Sequence, residues 1–113
     1  MYYIYIIYSL SADKYYVGYT TDITVRLENH NHQESFNTYT RKYRPWILKG
    51  LFQVGEDEKE VIRIERFIKK QKSRALIKKM IDPDFIPGGE LAQLVRVRTC
   101  GINHPEVSGR FKS

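Results

Sequence analysis

The chain has 113 residues, room for one domain, and at 42% apolar and 28% charged its composition is globular rather than disordered. No apolar run approaches the roughly 20 residues of a membrane span, and a single cysteine, Cys100, excludes an internal disulfide framework or a Cys-rich zinc site. Nineteen Lys and Arg against thirteen Asp and Glu leave +6, and with nine tyrosines this suits a polyanionic partner.

Tyr2 to Ser9 is aromatic and β-branched with no Gly or Pro, a strand signal. It lacks the basic leader and small-residue cleavage site of a secretory signal, so the expected location is cytoplasmic. Residues 10–14 form a polar turn, and Tyr15 to Tyr19 completes a hairpin. Thr20, Thr21 and Asp22 offer helix caps for a short helix from Ile23 to His30. Asn31 to Lys42 reads as a polar surface loop. Pro45 opens a third strand, with Trp46, Ile47, Leu48, Leu51, Phe52 and Val54 as its core candidates. Asp57 with Glu60 resembles a capping box, and Val61, Ile64, Phe67 and Ile68 form a stripe that buries the helix against the sheet. Residues 72–74 break that helix before a shorter one ending near Ile81. The expected architecture is α+β, a small three-stranded antiparallel sheet flanked by helices.

Within this frame a constellation stands out. Tyr5 and Tyr16 lie on paired strands and can share a face, and Arg26 and His30 are one helical turn apart. Glu65 is the only acid between Arg63 and Lys79, among eight basic residues. Taken singly, these residues also fit plainer roles. The tyrosines could be cross-strand packing partners, and the basic run could be a solvated helix face.

In this order and spacing, Tyr3-Ile4-Tyr5, Tyr16-Val17-Gly18, Arg26, His30 and Glu65 resemble the GIY-YIG nuclease superfamily. The likeness is greatest to small single-domain members similar to the nuclease domain of the bacterial excision-repair nicking subunit. The pattern departs at Tyr3, where the first signature has glycine, and at Tyr19, where repair nucleases often carry lysine. The resemblance implies an endonuclease hydrolysing DNA phosphodiester bonds in repair or processing, with RNA not excluded as a partner. It implies one divalent cation, Mg²⁺ or Mn²⁺, held by Glu65 and water, and a phosphate clamp at Arg26. Tyr5 or Tyr16 would orient or deprotonate the attacking water, and His30 would either hydrogen-bond Tyr5 or be the base itself. Arg63, Arg66, Lys69, Lys70 and Lys72 are expected to flank the site as nucleic-acid contacts. The protein is expected to be a monomer without membrane contact. The alternative is a non-catalytic nucleic-acid-binding module on the same fold.

The domain is expected to span residues 1–85, with 86–113 as a loosely ordered tail that carries no site residue and leaves Cys100 an incidental thiol. Read back into codons, the stretch Gly89 to Arg96 can spell part of a transfer RNA D arm, and Arg110 to Ser113 part of a T arm. That order suggests a reading frame running into a tRNA gene. The plainer reading is a genuine extension packed through Leu91, Leu94, Val95 and Val97.

Overall fold

A strand with apolar residues at every position must be covered on both faces. Strand β1 (Tyr2–Ser9) meets this condition at the middle of the sheet, between β2 (Lys14–Thr20) and β3 (Trp46–Gly55). All neighbours are antiparallel, in the order β2-β1-β3-β4. The computed structural model describes residues 1–33 and 37–97. Among them, no helix is long and apolar enough to cross a membrane.

Strand alternation divides β1 between two cores. Ile4 and Ile6 face helices α3 (Glu58–Gln71) and α4 (Arg74–Ile81), where Val61, Ile64, Ile68, Ile77 and Met80 close over them with Phe52. Tyr5 and Ile7 face the other way, onto Leu27 of helix α1 (Ile23–His32) and onto Trp46, Leu48 and Leu51. A register shift between Ile6 and Ile7 admits one extra residue of β3, Lys49, so the two strands stay paired along their length. Tyr3 pairs with Thr20 and Gln53 and packs on the second core, so this position in the strand takes a full side chain.

The expected elements form, with longer or shifted ends. Asp22 caps α1 by accepting from Val25 N–H, and the helix runs on to His32. The segment read as loop contains a five-residue helix, α2 (Thr38–Lys42), capped by Asn37. Lys72, in the left-handed region at φ 47°, ends α3, and Ser73 caps α4 through Leu76 N–H.

Two differences concern the end of the domain. The sheet has four strands rather than three, because β4 (Val95–Arg96) pairs with Phe52 and Gln53 of β3. Order also continues beyond residue 85. A single 3₁₀ turn, Gly89–Leu91, puts Leu91 and Leu94 into the α3/α4 core at 5% and 4% exposure. Arg96 donates to the carbonyls of Met80 and Asp82 at the end of α4, and Arg63 pairs with Glu90. Two leucines three apart supply enough apolar surface to dock a segment that otherwise has little regular structure. Cys100 and the stretch 110–113 lie outside the described residues.

Replacing Leu94 with Ala should therefore cost roughly 2–4 kcal/mol, as for an ordinary core leucine. Urea unfolding of the two chains measures this, and a change under about 0.5 kcal/mol would mean the segment does not dock.

Candidate active site

The site is built on the edge strand β2 and its neighbour β1. Tyr5 stands opposite Gly18, and the phenol ring passes directly over the glycine. A β-carbon at Gly18 would lie 2.5 Å from Tyr5 Cζ and 2.9 Å from Cε2, so any side chain there would displace the ring. The second signature thus ends in glycine because the tyrosine of the first signature occupies that space.

The Tyr5 hydroxyl lies 2.7 Å from His30 Nε2, while His30 Nδ1 lies 2.9 Å from Thr40 Oγ1. Thr40 O–H donates to the carbonyl of Asn37 at 3.4 Å, which leaves its oxygen to accept from His30 Nδ1–H. On that assignment Nε2 is the acceptor and Tyr5 the donor, and the phenol oxygen accepts from Arg26 on its cleft side. His30 is 1% exposed, and burial, followed by the Arg26 and Arg44 guanidinium charges, lowers its pKa to about 4. The ring is neutral at physiological pH. Burial and the nearby Tyr16 phenol push the Tyr5 pKa well above its ordinary value, against the charge and hydrogen bond of Arg26.

This buried chain is anchored from several sides. Trp46 Nε1–H donates to the Thr40 carbonyl at 2.7 Å. The Asn31 amide accepts from Trp46 N–H at 2.6 Å and donates to Trp46 O at 2.9 Å, joining α1 to the start of β3. Arg44 donates to the carbonyls of Asn29, His30 and Gln33 at the C-terminal end of α1. Among the described residues, every buried side-chain nitrogen and oxygen has a partner.

The remaining candidates converge from other elements. Thr20 Oγ1 accepts from Asp22 N–H and fixes the start of α1, which carries Arg26 one turn before His30. Tyr16 sits edge-on to the rings of His30 and Trp46, and its hydroxyl accepts from Asn37 at 3.4 Å. Glu65, on the opposite layer, keeps 16% of its side chain exposed and lies 3.6 Å from Lys69 Nζ. The Lys69 ammonium in turn lies 4.8 Å from the Tyr16 ring centre. Tyr5, Tyr16, Gly18, Arg26 and Glu65 line one cleft of about 310 Å³.

His30 stands behind Tyr5, with both ring nitrogens engaged by Tyr5 and Thr40. Of the two roles left open by the sequence, this geometry supports the hydrogen-bonding partner. The five basic candidates do not stay together. Lys69 and Lys72 line a groove that adjoins the cleft through Tyr16. Arg63 is paired with Glu60 and Glu90, and with Arg66 it lines a separate depression. Lys70 is seven residues after Arg63, so it shares that other face of α3. A run of charges along a helix must divide between faces in this way.

One residue escaped the sequence reading. Glu58 also lines the cleft and accepts from the Tyr19 hydroxyl at 3.4 Å. The available signal was its spacing, two turns before Glu65 on the same face. Among the described residues, no group of three or more His, Cys, Asp or Glu could hold a metal ion. The cleft nonetheless presents hard oxygen donors, with Glu65 as the shielded carboxylate. This donor set fits Mg²⁺ or Mn²⁺ bound through one or two carboxylates and water.

The depressed His30 pKa has a measurable consequence. As pH falls, the unfolded chain takes up its proton near 6.5, while the folded ring resists until about 4. This component of stability is therefore complete above pH 6.5 and is lost between 6.5 and 4, on the order of 3 kcal/mol. NMR titration should find the His30 ring neutral at pH 5.5, and urea midpoints should fall less with acid in a His30→Asn chain. A ring titrating near 6.5 would contradict the buried network.

No curated protein matches the chain significantly. The family model described as the GIY-YIG catalytic domain matches residues 1–80, a stretch that takes in both signatures, Arg26, His30 and Glu65. With the two tyrosines, the arginine and the glutamate drawn into one cleft, and that match covering most of its length, the chain belongs to the GIY-YIG family of nuclease-type domains.

Proposed function

We propose that the protein is a divalent-metal-dependent endonuclease that hydrolyses DNA phosphodiester bonds, in repair or processing. The observation that carries this reading is the convergence of Tyr5, Tyr16, Arg26 and Glu65, from four elements and both layers, on one cleft.

Phosphoryl transfer asks a protein mainly for position and charge. Arg26 is placed to hold the scissile phosphate and to neutralise the charge that grows on its oxygens. The Tyr5 oxygen, its proton committed to His30 and one lone pair to Arg26, offers its second lone pair to orient water for in-line attack on phosphorus. As the phosphorus–oxygen bond forms, a water proton moves to Tyr5 and the Tyr5 proton moves on to His30 Nε2. Both groups have shifted pKa values that oppose this relay at rest. A bound phosphate would offset the Arg26 charge that disfavours a protonated His30, so the relay becomes accessible with substrate in the cleft. Glu65 would hold the cation, which when bound would polarise the phosphate and stabilise the departing oxygen. His30 is a positioning residue and proton acceptor that does not touch the substrate.

The alternative, a binding module without catalysis, would not require Glu65 and Arg26 to share a cleft with the phenols. Supercoiled plasmid with Mg²⁺ or Mn²⁺ separates the two readings. Nicking should appear with either cation, fall at least ~100-fold in Glu65→Gln and Arg26→Ala, and weaken steeply with added salt. Nicking unaffected by Glu65→Gln would remove the metal role of that residue, and binding without any nicking would favour the module.

A further inference from the structure

The larger groove beside the cleft is not accounted for by hydrolysis. It has a volume of about 510 Å³ and opens between β2, α2 and the α3–α4 junction. Its floor is apolar, made by Val17, Ile68 and Ile77. One wall is aromatic, with Tyr39 half exposed at 43% and its ring centre 6.1 Å from that of Tyr16. Lys72 and Lys69 bring ammonium groups to the groove, that of Lys69 lying over the Tyr16 ring and 3.6 Å from Glu65. The acid at its rim, Asp13, is tied to Arg74 and Tyr8, so its charge is already matched.

An apolar floor, an exposed phenol ring at Tyr39 and cations at the mouth match a flat aromatic ligand that carries an anion. Tyr16 is common to this groove and to the cleft, so such a ligand would be continuous with the bond being cut. A base inside a duplex has its faces covered by its neighbours and cannot enter. We infer that this groove takes one unpaired nucleotide of the DNA strand being cut, its base against Tyr39 and Tyr16 and its phosphate drawn to Lys69 and Lys72. The inference rests on the nuclease reading of the adjoining cleft and deepens it, because it makes the preferred substrate DNA with an unpaired nucleotide at the cut.

Binding without divalent cations tests it independently of cleavage. Fluorescence anisotropy with a twelve-nucleotide single strand and its duplex should show the single strand bound more tightly. Tyr39→Ala, at a half-exposed position, should weaken single-strand binding roughly tenfold while leaving duplex binding within about twofold. Lys72→Gln should reduce the salt slope of single-strand binding by about 0.7, a change Tyr39→Ala should not produce. A single strand carrying 5-iodouracil should photocrosslink to Tyr39 or Tyr16. Equal single-strand and duplex affinity, a Tyr39→Ala chain with unchanged single-strand affinity, or crosslinks confined to other residues would overturn the inference. A chain that passes these tests yet nicks nothing would keep the groove and lose the nuclease reading; a chain that nicks plasmid but fails them would do the reverse.

Discussion

The buried hydrogen bond between Tyr5 and His30 is the constraint around which the rest is arranged. A phenol 1% exposed can keep a defined direction only if its proton has a fixed acceptor, and a buried imidazole accepts only if its other nitrogen is made the donor. Thr40 meets that second condition, and Asn37 directs the Thr40 proton away. The short helix α2 therefore sets the tautomer of a residue on α1, which sets the direction of a residue on β1. Removing the Tyr5 or the Thr40 hydroxyl takes a hydrogen bond from the buried imidazole. A chain of this kind specifies one geometry where an apolar core would tolerate several.

The two faces of the sheet divide the labour. One carries the core under α3 and α4, built on Ile4, Ile6 and Phe52. The other carries the aromatic and polar core that supports Tyr5. The cleft lies at the β2 edge, the place where residues from both layers can meet around a strand. Gly18 is what allows this. Without a side chain at that point, the Tyr5 ring crosses the strand instead of stopping above it.

Much of this was legible from local pattern. The alternation of β1, the apolar stripe of α3 and the cap at Asp22 each follow from a local rule, while Tyr5, Tyr16, Arg26 and Glu65 stand out as a set through the resemblance of their order to the GIY-YIG pattern. The features that were not legible depend on partners remote in sequence. Arg44 reads as one more cation until it is seen bonded to the carbonyls that end α1. Asn31 reads as a loop residue, yet it pairs with the backbone of Trp46 as a strand neighbour would. Arg63 looks like a phosphate contact until Glu90, 27 residues later, takes it up. Leu91 and Leu94 are too few to announce an element, and only the core under α3 and α4 gives them a role.

The outer edge of β3 has a consequence for how the protein coexists with its own copies. A bare outer strand offers unsatisfied amides and carbonyls to any passing chain. At β3, the two residues of β4 and the Val97 N–H bonded to Leu51 O, at 2.8 Å, take up part of that offer from within the same molecule. The other outer strand, β2, borders the cleft and the basic groove, where charge discourages strand-to-strand pairing. A segment whose codons can also spell transfer RNA therefore acts, in the protein, as a selvedge along Leu51, Phe52 and Gln53 of the sheet's outer strand.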